Sequence, residues 1–501
     1  VTGVLLLAAA LSSSCAQDAD YVAALETLYD GGTDTAILSL ARLSRTHPED
    51  PMGPYLEALA LCWKIEERPR SRELEPEFHG LVDRAIALAD ARLGENHEDV
   101  RALLARGAAH GVRSRLHLFR VEKREAAREA VRMREDLLQV LRLEPENKDA
   151  LFGLGLYDYY GDVLPRLAKI VRFFLGIPGG DRERGLERIR AAREGAVFHG
   201  TEVRWQLYEI YAFYEEDPDQ AREEIVDLRA RYPEAPRWAL MLAEHLRERL
   251  GLYAESAAVA EEIAARVASG HRNYAPVVGA MARLALGEAL LLDLRPREAA
   301  AVLRQELLPR PLAPRLAPRA ELALGRALEL LGERKAVAAH YAAAREAEDE
   351  DVRQGAEDAL ASPLSESERR ATLLVGEGRR LREKGRTRES LDRFRRALRL
   401  WPDCGEAALR VSEAEVEEGR YEAVAGGLRR IASSQHPSPP WLRPWAQLLL
   451  ARVLEARGER GEAVKLYKQV YKYPCGQAEL RRRADEGLRR DGDVPAAAPG
   501  T

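Results

Sequence analysis

Three segments of the sequence bring chemistry-bearing residues close enough together to suggest a reactive site. The first is Gly176-Ile177-Pro178-Gly179-Gly180, followed by Asp181. Glycines in a loop can cradle a phosphate through their backbone N–H groups, but that chemistry also needs a Lys and then a Ser or Thr directly after them. Neither follows, so the run reads as a turn, with Asp181 placed to cap the next helix. The second is the pair His110 and His117, read as lying on nearly opposite faces of one helix and so not as a shared ligand set. No His-Glu-x-x-His or short Cys–His spacing is present for zinc, and no Gly-x-Ser-x-Gly elbow for a nucleophile. The third is the acidic run Glu346 to Asp351. A calcium loop needs alternating ligands and a central Gly, so this run reads as a solvated helix end. No catalytic residue, metal or cofactor is expected from these patterns.

Thiols and charge narrow the class further. Four cysteines in 501 residues cannot form the disulfide framework that staples small domains. Cys62 lies in an apolar helical stretch, and Cys404 and Cys475 each follow a Pro in an interhelix loop, so free thiols are expected. Charged residues make up 32% of the chain, with both signs interspersed and a net charge of −5. Such a surface offers no field favouring nucleic acid or an acidic membrane. The chain is too long for one compact core and shows no long flexible linker, which points to an elongated architecture.

The elements that must position any site repeat themselves. In residues 201–233, Trp205, Tyr208, Glu209 and Ala212 are followed by Ala221, Ile225, Leu228 and Pro233. In residues 371–402, Leu374, Gly378, Leu381, Gly385, Ser390, Phe394, Ala397 and Pro402 fall at the same offsets. A third copy supplies Leu454, Gly458, Ala463, Tyr467, Val470 and Pro474. Half of the pattern recurs at Ala36, Leu40, Leu43 and Pro48, and further copies run through Gly287 and Leu303 and through Gly325 and Tyr341. Small residues at these offsets let paired helices approach closely, large ones fill the space between pairs, and each Pro ends a second helix. A single pair cannot bury its apolar face, whereas a stack can.

This spacing resembles the tetratricopeptide repeat, with its period of about 34 residues. The resemblance implies an all-α fold, a right-handed superhelical solenoid of antiparallel helix pairs. The expected organisation is a signal segment at 1–16, partly divergent helical repeats at 17–146, an atypical insertion-bearing repeat at 147–201 and central repeats at 202–351. An extra helix and linker follow at 352–370, then C-terminal repeats with a capping helix at 371–490 and a disordered tail at 491–501. In the family, positions twelve and thirteen of the first helix face the inner, concave wall. Here they fall on Tyr159 and Tyr160 in one unit and on Phe213 and Tyr214 in another, the candidate partner-binding residues. The basic cluster of Lys465, Lys468, Lys472 and Arg481 to Arg483 reads as a polar capping surface.

Before the repeats, an apolar run from Val4 to Leu11 leads into Ser12-Ser13-Ser14-Cys15. It is too short to span a bilayer and has the form of a secretory signal. Cys15 resembles the lipidated residue of bacterial lipoproteins, and cleavage after Ala16 is the alternative. The expected protein is thus a non-catalytic scaffold of the bacterial cell envelope, facing the periplasm or the cell surface, that binds partner proteins or peptides in a concave groove. An enzyme acting on envelope polymers through groove carboxylates, or a cytoplasmic adaptor, are the competing expectations.

Overall fold

The computed structural model describes residues 2–163, 179–309, 312–434, 439, 441–471 and 478–490, and it describes no side chain within 2–15 or at Ala478. Among the described residues there are 24 α-helices and no strand. The expected all-α class is therefore what the chain adopts. The start of the expected turn at Gly176, Ile177 and Pro178, together with Cys475, Lys472 and the tail from 491, lies outside the described residues.

Two compact units divide the chain: residues 1–207 with 227–235, and residues 208–226 with 236–501. Unit 1 contains α1 (Thr2–Tyr29), α2 (Thr33–Thr46), α3 (Met52–Glu66), α4 (Glu75–Glu95), α5 (Val100–Phe119), α6 (Lys123–Leu143), α7 (Lys148–Val163) and α8 (Arg182–Ala192). Helices α9 (Gly200–Phe213) and α10 (Pro218–Arg231) contribute residues to both units. Unit 2 continues with α11 (Pro236–Glu248), α12 (Tyr253–Ala268), α13 (Pro276–Leu292), α14 (Pro296–Ala301, extended by a π turn Val302–Leu307), α15 (Ala317–Leu331), α16 (Arg334–Ala344) and α17 (Glu350–Ala361). Then follow α18 (Glu366–Glu383), α19 (Thr387–Leu400), α20 (Gly405–Glu417), α21 (Ala425–Ala432), α22 (Leu442–Ala456), α23 (Arg460–Tyr471) and α24 (Ala478–Arg490).

Local chemistry sets these boundaries. Asp99, Asp181 and Asp349 each accept a backbone N–H at the start of a helix, and Ser365 with Glu368 forms a reciprocal capping box at α18. Asp349 belongs to the acidic run, which thus begins a helix. Between α18 and α19 the chain reverses at Gly385, whose φ of +72° suits a residue without a Cβ.

Close approach within pairs comes from one recurrent contact. A Cβ added to Gly287 would lie 2.6 Å from Leu303, one on Gly325 2.6 Å from the Tyr341 ring, and one on Gly378 2.6 Å from the Phe394 ring. In each case the glycine sits on the first helix and its large partner on the second, so the large side chain rests directly on the bare backbone of the first helix. Ser390, which departs from the Ala usual at its position, donates its hydroxyl to the Gly378 carbonyl at 2.8 Å. Its polar atom is thereby satisfied inside the pair. The apolar faces left over stack between pairs, as where Leu284, Leu290, Leu303, Leu324 and Leu328 form one core.

His110 and His117 correct an expectation. Seven residues are two turns, so both sit on the same side of α5, about 10 Å apart along its axis. That distance prevents shared ligation, and each imidazole instead meets its own carboxylate, His110 with Glu129 at 2.6 Å and His117 with Glu122 at 2.7 Å. Among the described residues no group of His, Cys, Asp and Glu is placed to hold a metal ion, and no helix is long and apolar enough to cross a membrane.

The glycine contact makes a testable prediction. Gly378→Ala should destabilise the protein by about 2 kcal/mol, because the methyl must displace the Phe394 ring. Adding Phe394→Leu should recover part of that loss, as read by thermal unfolding.

Candidate functional site: arginine clusters and exposed aromatics

The densest polar arrangement in unit 1 is built on Arg115, from the middle of α5. Its guanidinium lies 4.8 Å from the ring centre of Trp63 on α3 and 4.6 Å from that of Trp205 on α9. Two of its nitrogens donate to Glu66 at 2.8 and 2.6 Å, and a third donates to Glu202 at 3.1 Å. Glu202 also accepts from the Trp63 indole at 2.5 Å and from the Tyr29 hydroxyl at 3.1 Å. Burial disfavours the charged guanidinium, but Glu202 and Glu66 outweigh it and hold Arg115 firmly protonated. Arg115 thus ties α3, α5 and α9 together, and Glu202 extends the tie to α1 through Tyr29.

A second chain of contacts runs beside the first. The Tyr55 hydroxyl meets His199 Nε2 at 2.5 Å, and His199 Nδ1 meets Asp149 at 2.6 Å. Asp149 further accepts the backbone N–H groups of Val197, Phe198 and His199. Burial raises the Asp149 carboxyl, yet the His199 bond, its charge and those amides bring it below the usual carboxylate range. A hydroxyl–imidazole–carboxylate series has the order of a base-activated nucleophile. Here burial, together with the Glu202 and Asp149 charges, pushes the Tyr55 phenol well up, and the residue is 2% exposed. The phenol keeps its proton, and the series fixes the loop at 197–199 to α3 and α7. Burial also pushes up the nearby Cys62 thiol, which is free and buried.

These contacts join residues far apart in sequence. Tyr232 donates to Glu26 at 3.0 Å, and the Glu234 N–H donates to Asp30 at 3.0 Å. The end of unit 1 is therefore closed onto its first helix.

Unit 2 has a counterpart. Arg379 on α18 donates to Glu406 on α20 and to the Leu292 carbonyl at the end of α13, the latter at 2.8 Å. It also lies 5.8 Å from the Tyr253 ring centre and 6.0 Å from that of Trp441. Arg382 and Arg410 share Glu413 at 2.7 and 3.3 Å, and Arg410 stacks on Trp441 at 5.1 Å. Burial raises the Glu413 carboxyl, but the two arginines bring it below the ordinary value.

The expected partner-binding residues divide between these settings. Tyr159, in unit 1, is completely buried and packs edge-on against Tyr160 at 5.4 Å, so its ring is core and presents nothing to a guest. Gly185 on α8 allows this burial, since a Cβ there would run into the Tyr159 backbone. Tyr160 is half-buried and donates to Gln206 at 3.3 Å. Phe213 and Tyr214, in unit 2, are 49% and 46% exposed. Arg249 lies over the Phe213 ring at 4.5 Å, and Tyr208 meets it edge-on at 6.4 Å. The Cys15 side chain lies outside those described. The basic cluster is internally committed where described, with Arg482 and Arg483 on Glu479 and Arg481 on Asp217.

Sequence reasoning missed Arg115 and Arg379. Part of the signal was present, because position twelve of the unit that begins at Ala371 is Arg382, a member of the second cluster.

Residues 210–271 and 375–431 match the family model described as tetratricopeptide repeat. These two segments carry tetratricopeptide-type repeats. No curated protein matches the sequence. Similar solved structures include a monomeric mutant of IFIT1 with m7Gppp-AAAA, at 13% identity and TM-score 0.27, covering 88% of this chain and 76% of that one. The Cut9–Hcn1 hetero-tetramer of the APC/C is 13% identical with TM-score 0.25, covering 92% and 95%. The TPR domain of P58(IPK) is 11% identical with TM-score 0.21, covering 88% and 99%.

The first cluster makes its own prediction. Glu202→Gln keeps an acceptor for Trp63 and Tyr29 but removes one of the two charges on Arg115. It should cost about 3 kcal/mol, as breaking a buried pair does, measured by chemical denaturation. Glu49→Gln, on the exposed turn before α3, should change stability by less than about 0.5 kcal/mol.

Proposed function

We propose that this chain is a non-catalytic scaffold of the bacterial cell envelope, binding partner proteins or peptides on its repeat surfaces. The observation that carries the proposal is the exposed pair Phe213 and Tyr214 on a segment matched as a tetratricopeptide repeat. Two large aromatic side chains left in water at inner-wall positions are the type of anchor that dominates protein interfaces. Arg249 over the Phe213 face holds the ring in place.

Placement in the envelope rests on the apolar run Val4–Leu11 and on Cys15 after three serines.

Crosslinking in intact cells, followed by mass spectrometry, tests this reading. Wild-type chain should recover a defined partner set, and the double variant Phe213→Ala/Tyr214→Ala should lower recovery about tenfold or more while melting as the wild type does. Mass spectrometry of the mature N-terminus should find lipid on Cys15 or a chain beginning at Gln17. Background recovery together with substrate turnover by the purified protein would contradict the proposal.

A further inference from the structure

The stack of helix pairs in unit 2 is interrupted between α17 and α18. The core of α15 to α17 gathers Leu322, Tyr341, Ala344, Val352 and Ala356. The next core, Ala371, Val375, Phe394, Ala397, Cys404 and Ala407, is separate from it. In a continuous stack each pair covers one face of the next. At this interruption, one face of the α18–α19 pair is left with a cleft of about 330 Å³.

The cleft has a definite composition. From α18 come Arg370, Leu373, Leu374 and Glu377, spaced so that they share one side of the helix. From α19 come Arg396, Arg399 and Leu400, again on one side. The leucines are half-buried and form the floor, while the three arginines and Glu377 are exposed around it. Glu377 pairs with Arg393 at 2.8 Å, so its charge is already balanced. Glu368, two residues before Arg370, is tied to Ser365, and Glu366 is engaged by two hydrogen bonds from Arg369. Among the described residues Arg396 and Arg399 have no hydrogen bond or ion pair. Elsewhere in the same repeats Arg379, Arg382, Arg386 and Arg410 are each matched to a Glu. The cleft therefore presents an apolar floor beside two guanidinium groups, those of Arg396 and Arg399, that carry no ion pair among the described residues.

We infer that this cleft, formed by Leu373, Leu374 and Leu400 and rimmed by Arg370, Arg396 and Arg399, docks an acidic peptide segment of a partner protein. That segment carries one large apolar side chain flanked by Asp or Glu. The apolar residue covers the leucines, which gains the hydrophobic term. The flanking carboxylates take the guanidinium donors in paired hydrogen bonds, a geometry that arginine favours. The cleft is formed by the pair's side face, away from the Arg379 cluster. The inference rests on the scaffold reading and gives it a partner chemistry.

A fluorescein-labelled ten-residue peptide, one Phe and one Leu among glutamates, titrated against the full chain and read by anisotropy, tests it. The peptide should bind, and raising NaCl from about 50 to 500 mM should weaken it, because exposed charge pairs are screened. Arg396→Glu/Arg399→Glu should weaken binding about tenfold or more, and Leu373→Ser should weaken it several-fold, each with an unchanged melting temperature. Equal binding of a peptide with lysines in place of the glutamates overturns the inference. So does capture by phosphatidylglycerol vesicles, lost in the double Arg variant, when the acidic peptide does not bind. Carried through the in-cell crosslinking, the wild-type chain separates the two claims. Absent peptide binding with partners still recovered sinks the cleft alone, whereas recovery of no partner sinks the scaffold reading.

Discussion

A guanidinium removed from water must be matched by negative charge, and that requirement governs unit 1. Arg115 is held between two indole faces and two carboxylates, and each of those groups comes from a helix that must arrive at the correct height. If Glu202 is not in place, the cation keeps only part of its compensation, a penalty of several kcal/mol in a low-dielectric interior. The cluster therefore acts on register as much as on energy. It admits one arrangement of α1, α3, α5 and α9 and penalises slipped ones.

The same device recurs in unit 2 with different residues. Arg379 reaches back to the end of α13 and across to Tyr253, Trp441 and Glu406. Small-against-large packing within pairs fixes how two helices approach. The arginine clusters fix how pairs distant in sequence meet. Neither device consumes the exposed aromatics at 213 and 214 or the arginine-rimmed cleft on α18 and α19, where the proposed partner contacts lie.

The two devices differ in how far they can be read from the sequence. Gly287 with Leu303, Gly325 with Tyr341 and Gly378 with Phe394 are each sixteen residues apart, so the pattern repeats within one pair and periodicity exposes it. Arg115 and Glu202 are 87 residues apart, and Tyr29 and Glu202 are 173 apart, beyond what any local period reports. Tyr159 shows the same limit. Its position in the repeat assigns it to an inner wall, but Gly185 on another helix lets the backbones close and places the ring in the core. The pair His110 and His117 was misplaced for a simpler reason, since seven residues return a helix to the same side.

The central claim is that Arg115, by fixing Glu202, holds the start of α9 and, through Tyr29, the first helix in place. Hydrogen exchange of the wild type and Arg115→Ala tests it most directly. The account predicts that residues 16–29 and 199–207 lose protection together in the variant, while amides of α6, which the cluster does not touch, keep theirs. Loss confined to the turns beside residue 115, with both distant segments still protected, would contradict it.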